Sequence, residues 1–240
     1  LWSLFTTKHG EKMKKVAITG SSGKIGQVLQ TGLQGCSMVY PLDLPWCDAK
    51  DMHALEREFP GKDVVIHLAW NAKIENWRSG TIDPDNTLMT FNVFQAAVNT
   101  RVPRVIMASS VHADEFLTWK RQELLTTDKT PFPTSPYGAS KIFMEALGRY
   151  YSKHHNLEVI CIRFGGVNPQ NEITQEMLAA EPILPKVWFS HQDCVALVRA
   201  CIKAQTVPNN FTIVYGVSDN PERIHDLTNP FGWTPLSSQG

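Results

Sequence analysis

The 240-residue chain has no surplus of either charge: 23 Lys and Arg face 23 Asp and Glu. Such a balance speaks against nucleic acid or an anionic membrane surface as a partner. No stretch approaches the roughly 20 consecutive apolar residues of a membrane-spanning helix. The opening Leu1-Trp2-Ser3-Leu4-Phe5 is too short for the apolar core of a signal peptide and lacks a basic start. The cysteines (Cys36, Cys47, Cys161, Cys194 and Cys201) include no Cys-x-x-Cys and no metal-ligand spacing. Their odd number and scatter suit reduced thiols in the cytoplasm. No His-Glu-x-x-His occurs either, and the adjacent His154-His155 reads as a solvated helix end, so no metal site is expected. Repeats, low-complexity tracts and a dividing linker are all lacking. What is left is one α/β unit over residues 13–240, with residues 1–12 expected to be a disordered or weakly packed extension.

Short apolar runs alternate with helical patterns along most of the chain. Lys14-Lys15-Val16-Ala17-Ile18-Thr19 reads as a buried strand, and a helix pattern follows from Ile25 to Leu33. Between them stand Gly20, Gly23 and Gly26. In this setting Gly20 permits a tight turn, Gly23 lets a pyrophosphate approach the backbone, and Gly26 lets helix and strand pack closely. Ser37–Asp43 is the second strand, with Pro41 and Pro45 expected to break it. Asp43 lies about 20 residues beyond the glycine loop, where a carboxylate takes the adenosine ribose hydroxyls. No Arg or Lys follows it before Lys50, which favours NAD over NADP. Asp48 is the competing candidate, either as an adenine contact or as the N-cap of a helix over 49–59.

Further strands are expected at Asp63–Ala69 and Arg104–Ala108. Glu158–Arg163 is counted as a sixth, and Phe211–Gly216 as the last. His67 falls inside its strand and reads as a packed core histidine. The loop Trp70-Asn71-Ala72-Lys73 should open beside the cofactor, because ligands sit at strand carboxyl ends. Helices are expected over about 84–98, to about Lys153 from the Tyr137 segment, and over Cys194–Ala204 with Ser190 as N-cap. Residues 113–135 read as a polar, proline-rich loop with one helical turn at most. The stretch 166–187 is long enough for a substrate lid. Arg163, ending a buried strand, reads as a structural ion pair rather than a substrate clamp.

The chemistry centres on Tyr137 and Lys141, four residues apart and so on one helix face. An ammonium fixed beside a phenol favours the phenolate and brings the tyrosine toward acid–base work near neutral pH. Ser110, delivered by the strand end Ala108-Ser109-Ser110, can hold the substrate oxygen in line. A Tyr-x-x-x-Lys pair alone is common by chance; the glycine loop and the serine raise its weight.

With these motifs in order, the chain resembles the extended short-chain dehydrogenase/reductases of the NAD-dependent epimerase/dehydratase superfamily, over roughly residues 14–217. The resemblance implies a doubly wound parallel sheet of Rossmann type and a catalytic set of Ser110, Tyr137 and Lys141. It implies cofactor contacts from Gly20, Ser22, Gly23, Lys24, Ile25, Gly26, Asp43, Asp48, Leu68, Ala69, Trp70, Asn86, Ala108 and Ser109, besides Tyr137 and Lys141. Several stretches are most similar to uronate dehydrogenases and related NAD-dependent sugar dehydrogenases: Ala108–His112, Tyr137–Lys141, Trp188–Asp193, Val214–Ser218 and Phe231–Pro235. These enzymes oxidise an anomeric carbon to a lactone, which implies a small sugar substrate and contacts from Asn71, Ser110, His112 and Gly166. The chain departs from them where Ala72 and Gly166 stand in place of substrate serines, and where no carboxylate-clamping arginine is evident. A hexuronate is therefore not specified, whereas a sugar is. A nucleotide-sugar epimerase or dehydratase is the nearest alternative. Only 74 residues follow Gly166, few for a nucleotide-binding domain, and Val111-His112 stands where a dehydratase needs an acid pair. A non-catalytic NAD sensor is disfavoured by the intact Ser110, Tyr137 and Lys141. Homodimers through the Tyr137 helix are an expectation by analogy with the fold.

Overall fold

A computed structural model of the protein describes residues 12–71, 80–120 and 122–236. Nearly all of the expected N-terminal extension, together with Ala72 and Lys73, lies outside the described residues. The strands are β1 (Lys14–Thr19), β2 (Ser37–Leu42), β3 (Val64–His67), β4 (Arg104–Ser110), β5 (Glu158–Phe164) and β6 (Phe211–Gly216). They form one six-stranded sheet in the order β2-β1-β3-β4-β5-β6. Every pairing is parallel. This is the doubly wound α/β architecture expected. Glu158–Phe164 is the fifth strand in chain order, not the sixth.

The longer helices are α1 (Lys24–Gly32), α2 (Met52–Glu58), α3 (Pro84–Asn99) and α4 (Pro136–His155). After β5 come the short α5 (Gln175–Ala180) and α6 (Leu184–Val187), then α7 (His191–Lys203). Strand residues alternate between two cores. Ala17, Val65, Val105, Met107 and Cys161 pack with α2, α3 and α4, while Ile18, Ile66, Ile106 and Ile162 pack with α1 and α7. Both faces of the central strands are therefore dry, which is why their sequences read as continuous apolar runs.

Two local expectations need correction. β2 continues through Pro41, because it is the sheet edge and Pro41, exposed, owes no hydrogen bond to an outer neighbour. The N-cap of the second helix is Asp51, whose side chain accepts from His53 N, and the helix starts at Met52 rather than 49. Asp48 instead accepts from Lys50 N (2.9 Å) one turn earlier. Ser190 caps α7 as expected, accepting from Asp193 N.

The chain reverses its direction of winding at β1. It steps outward to β2, then crosses to β3 on the other side of β1. Loops leaving β1 and β3 must diverge there, opening a crevice at the carboxyl ends of the strands. Gly20 (φ 70°) lies at that point, and a Cβ on it would stand 2.5 Å from Ala69 N. Only glycine allows the two strand ends to approach so closely.

Candidate active site

The crevice is a cavity of ≈ 1400 Å³ that runs from the glycine loop, past the ends of β3 and β4, to the segment after β5. At one end lies the start of α1. Described helices of six residues or more that begin elsewhere carry a side-chain N-cap: Asp51, Asp83, Ser135, Thr174 or Ser190. α1 begins at Gly23 with no side-chain cap, and Gly23, Lys24 and Ile25 all line the cavity. Uncapped N–H groups at a helix start, with no Cβ in front of them, suit a pyrophosphate. Gly26 keeps this turn tight, since a Cβ there would stand 2.4 Å from Ser21 O. Asp43, at the end of β2, accepts from Ser22 N (2.7 Å) and so holds its carboxylate against the glycine loop. Neither Asp43 nor Asp48 lines the cavity itself, but Asp43 is bonded to the glycine loop, whereas Asp48 accepts from Lys50 N.

The loop after β3 is fixed from α3. Asn86, 2% exposed, accepts from Asn71 N (2.7 Å) through Oδ1. Its amide is thus a backbone clamp for the Leu68–Asn71 wall, and Leu68, Trp70 and Asn71 line the cavity. His67 is a packed core residue as expected. Its ring meets Thr19 Oγ1 (2.8 Å) and Thr90 Oγ1 (3.5 Å), and burial pushes its pKa down to about 3.

Ser110, His112, Tyr137 and Lys141 converge on the middle of the cavity. Ser110 ends β4 and caps the 3-10 turn Val111–Ala113, accepting from His112 N (3.2 Å). The His112 and Tyr137 rings meet in a T-shaped contact, with centroids 5.4 Å apart. α4 begins directly against this turn: a Cβ on Gly138 would stand 2.0 Å from His112 O. The glycine after Tyr137 thus lets the helix seat its first turn on the turn bearing His112.

Lys141 is 3% exposed. Its ammonium donates to Ala108 O (2.9 Å) and lies 3.6 Å from the centre of the Trp70 ring, a cation–π contact. Burial lowers its pKa to about 7, against the pull of Glu145. The ammonium is 5.6 Å from the centre of the Tyr137 ring. Burial raises the Tyr137 pKa and the nearby Ser110 hydroxyl opposes it. The expected easing of the phenol toward phenolate by Lys141 is thus opposed by the burial of Tyr137.

Ser109 lines the cavity and also anchors a buried ion-pair cluster. Its hydroxyl donates to Glu145 (2.6 Å), which pairs with Arg163 (2.8 Å), which pairs in turn with Asp114 (2.7 Å). Arg163 is fully buried, a structural ion pair as expected. His112 is half-buried, and burial lowers its pKa to about 4, so at neutral pH it offers a neutral ring. Gly166 lines the far end with Met177, Ile183, Leu184 and Val187, none of which was singled out in the sequence. The length of the segment after β5 marked a lid, but four scattered apolar residues in it carry no chemical signature. Ser22 and Ala69 support the loop from behind rather than line it.

The described residues hold no group of three or more His, Cys, Asp or Glu able to bind a metal. No described helix is long and apolar enough to cross a membrane.

Residues 16–175 match the model of the NAD dependent epimerase/dehydratase family. L-arabinose 1-dehydrogenase (NAD(P)(+)) of Haloferax volcanii is 32% identical, over 90% of this chain and 92% of its own length. The crystal structure of uronate dehydrogenase from Agrobacterium tumefaciens superposes with a TM-score of 0.75 at 26% identity, covering 93% of this chain and 85% of that one. A tyrosine-to-alanine mutant of that enzyme complexed with NAD gives 0.74 at 25% identity, with the same coverage. The glycine loop, the serine at the end of β4 and the Tyr137–Lys141 pair thus stand in a matching sequence and a matching fold, and the chain belongs to the NAD dependent epimerase/dehydratase family as an NAD-dependent dehydrogenase of the short-chain dehydrogenase/reductase type.

Proposed function

We propose that the protein oxidises a sugar at its anomeric carbon, to the lactone, with NAD as hydride acceptor. The observation that carries this reading is the convergence of Ser110, His112, Tyr137 and Lys141 on one cavity whose other end is an uncapped helix start. Gly23, Lys24 and Ile25 would hold the pyrophosphate, Asp43 the adenosine ribose, and Trp70 and Lys141 the nicotinamide side. When bound, NAD supplies the hydride acceptor and a positive ring. Ser110 and Tyr137 hold the substrate hydroxyl between them. Tyr137 takes the hydroxyl proton as the hydride leaves the same carbon, so one C–H and one O–H bond break and a carbonyl forms. A phenol with a raised pKa makes a poor base, so positive charge from Lys141 and the cofactor must act together to release its proton. His112 and Asn71 orient the sugar ring, and Gly166 leaves room for it.

NAD is preferred to NADP, because a 2′-phosphate would face the Asp43 carboxylate. Residues 13–240 act as one unit, in the cytoplasm, consistent with five free cysteines among the described residues. Leu88 and Phe91 of α3 and Phe143 and Tyr150 of α4 leave 44–51% of their surface exposed, supporting a homodimer through these neighbouring helices. A monomeric mass in solution would contradict that part.

The test is absorbance at 340 nm with purified protein, NAD and a panel of aldoses, sugar phosphates and hexuronates. Reduction of NAD by a member of the panel, with a lactone as first product, is the expected result. Turnover of a nucleotide sugar with no net reduction would replace this reading with an epimerase.

A further inference from the structure

Beyond Ser110 and Tyr137 the cavity has an apolar wall, although Asn168, Glu176, Glu181 and Lys186 also line this end. Met177 of α5, Ile183, Leu184 and Val187 at α6, and Phe116 after the His112 turn all face it. Leu184, Val187 and Phe116 are 7%, 4% and 2% exposed; Val187 and Phe116 belong to a further buried cluster with Val111, Leu125, Tyr215 and Val217, against which Ile183 packs, so this part of the wall is built into the molecule rather than laid over it. It is also tied to the end of β5. Gly166 N donates to Val187 O (2.8 Å), Phe189 N donates to Gly166 O (2.9 Å), and Leu184 Cδ2 lies 3.0 Å from where a Gly166 Cβ would be. The guanidinium on that strand, Arg163, is enclosed by Asp114 and Glu145 and turned away from substrate. Of the polar groups that also line this end, Asn168 donates to Glu172 O (2.6 Å), Lys186 lies 3.9 Å from Glu222, and the carboxylates of Glu176 and Glu181 would repel a substrate carboxylate.

Aldopyranoses of one ring configuration differ mainly in the group on carbon 5: hydrogen in a pentose, methyl in a 6-deoxyhexose, hydroxymethyl in a hexose, carboxylate in a uronate. Hydrocarbon side chains leave a hydroxyl unpaired and leave a carboxylate both unpaired and desolvated, whereas they pack against a methyl group. We propose that this wall receives the carbon-5 group and selects hydrogen or methyl over hydroxymethyl and carboxylate, making uncharged pentoses and 6-deoxyhexoses the substrate class. The proposal rests on the sugar-oxidation reading above.

The test is kcat/KM with NAD for two matched series. One is L-arabinose, D-fucose, D-galactose and D-galacturonate; the other is D-xylose, 6-deoxy-D-glucose, D-glucose and D-glucuronate. In the series that reacts, the 6-deoxyhexose is expected to exceed its hexose by about 10-fold or more, within the discrimination an apolar pocket makes against an added hydroxyl. The uronate is expected to be lowest. Equal or better turnover of the hexose or the uronate, or reduction of NAD only by a sugar phosphate, overturns the proposal and leaves sugar oxidation standing, while no reduction of NAD by these series or by the wider panel overturns both. Met177→Gln and Ile183→Asn, both at half-buried positions and checked for folding by thermal melting, should each narrow the 6-deoxyhexose-to-hexose ratio. An unchanged ratio in both variants places the carbon-5 group elsewhere and also overturns the proposal.

Discussion

At the scale of single residues, the site is governed by groups whose charged forms burial disfavours. Lys141 is the sharpest case, with a carbonyl and an indole face in place of water and a pKa of about 7. Three histidines follow the same physics: burial lowers His67 and His225 to about 3 and His112 to about 4. Unfolded, a histidine titrates near 6.5. Below that pH the unfolded chain binds protons that the folded chain refuses, so stability is lost as pH falls from about 6.5 toward 3. His225 is fully buried with both ring nitrogens unpartnered, against the Tyr215 ring at 4.6 Å. His225→Phe is therefore expected to be near neutral at pH 7 and to shallow the loss of melting temperature between pH 6.5 and 4. An unaltered acid slope would show that His225 protonates in the folded state. Tyr137 and Lys141 were legible in the sequence because chemistry fixes both their types and their spacing. The environment that sets their pKa values was not, since it comes from Ala108, Trp70 and Glu145, which are brought in by strand pairing and helix packing.

At the scale of elements, α4 has to hold Tyr137 in line with the end of β4 and with the turn after it. One buried guanidinium ties all three. Arg163 of β5 reaches Glu145 on α4 and Asp114 in the turn, Glu145 takes Ser109 of β4, and Asp114 accepts from Tyr215 of β6. Removing Arg163 would strand two buried carboxylates. Arg163→Met should cost about 3–5 kcal/mol of unfolding free energy. It should also lower kcat at temperatures where the variant remains folded. Chemical denaturation and steady-state kinetics measure the two effects, and a loss of stability with unchanged kcat would confine the cluster to a structural role. Strand and helix alternation was readable because burial on both faces makes apolar runs. The start of α2 was misplaced because Asp48 and Asp51 are equally good caps in type, and only the turn between them decides. α5 and α6 went unseen because helices of six and four residues have too few turns to show a period.

For the whole molecule, the winding of the sheet decides where everything binds. Reversal at β1 puts the glycine loop, with Asp43 bonded behind it, and the Leu68–Asn71 wall around one crevice, and extension through β4 and β5 carries that crevice to the segment after β5. Order in the sheet thus sets the two ends of the crevice, and the proposed ribose contact, Asp43, sits at the end of the edge-strand β2. Asp43→Ser should weaken use of NAD and improve NADP, shifting the ratio of their kcat/KM values by about 10-fold or more, the equivalent of roughly 1.4 kcal/mol. An unchanged ratio would remove Asp43 from the ribose site. The measurement that bears most directly on the proposed chemistry is kcat of Tyr137→Phe with NAD and the best sugar, alongside its affinity for NADH. A loss of about 100-fold or more in kcat, with NADH binding kept, is the result expected of a positioned acid–base group. Retention of kcat within a few-fold would contradict Tyr137 as the proton acceptor, and with it the assignment of the catalytic site.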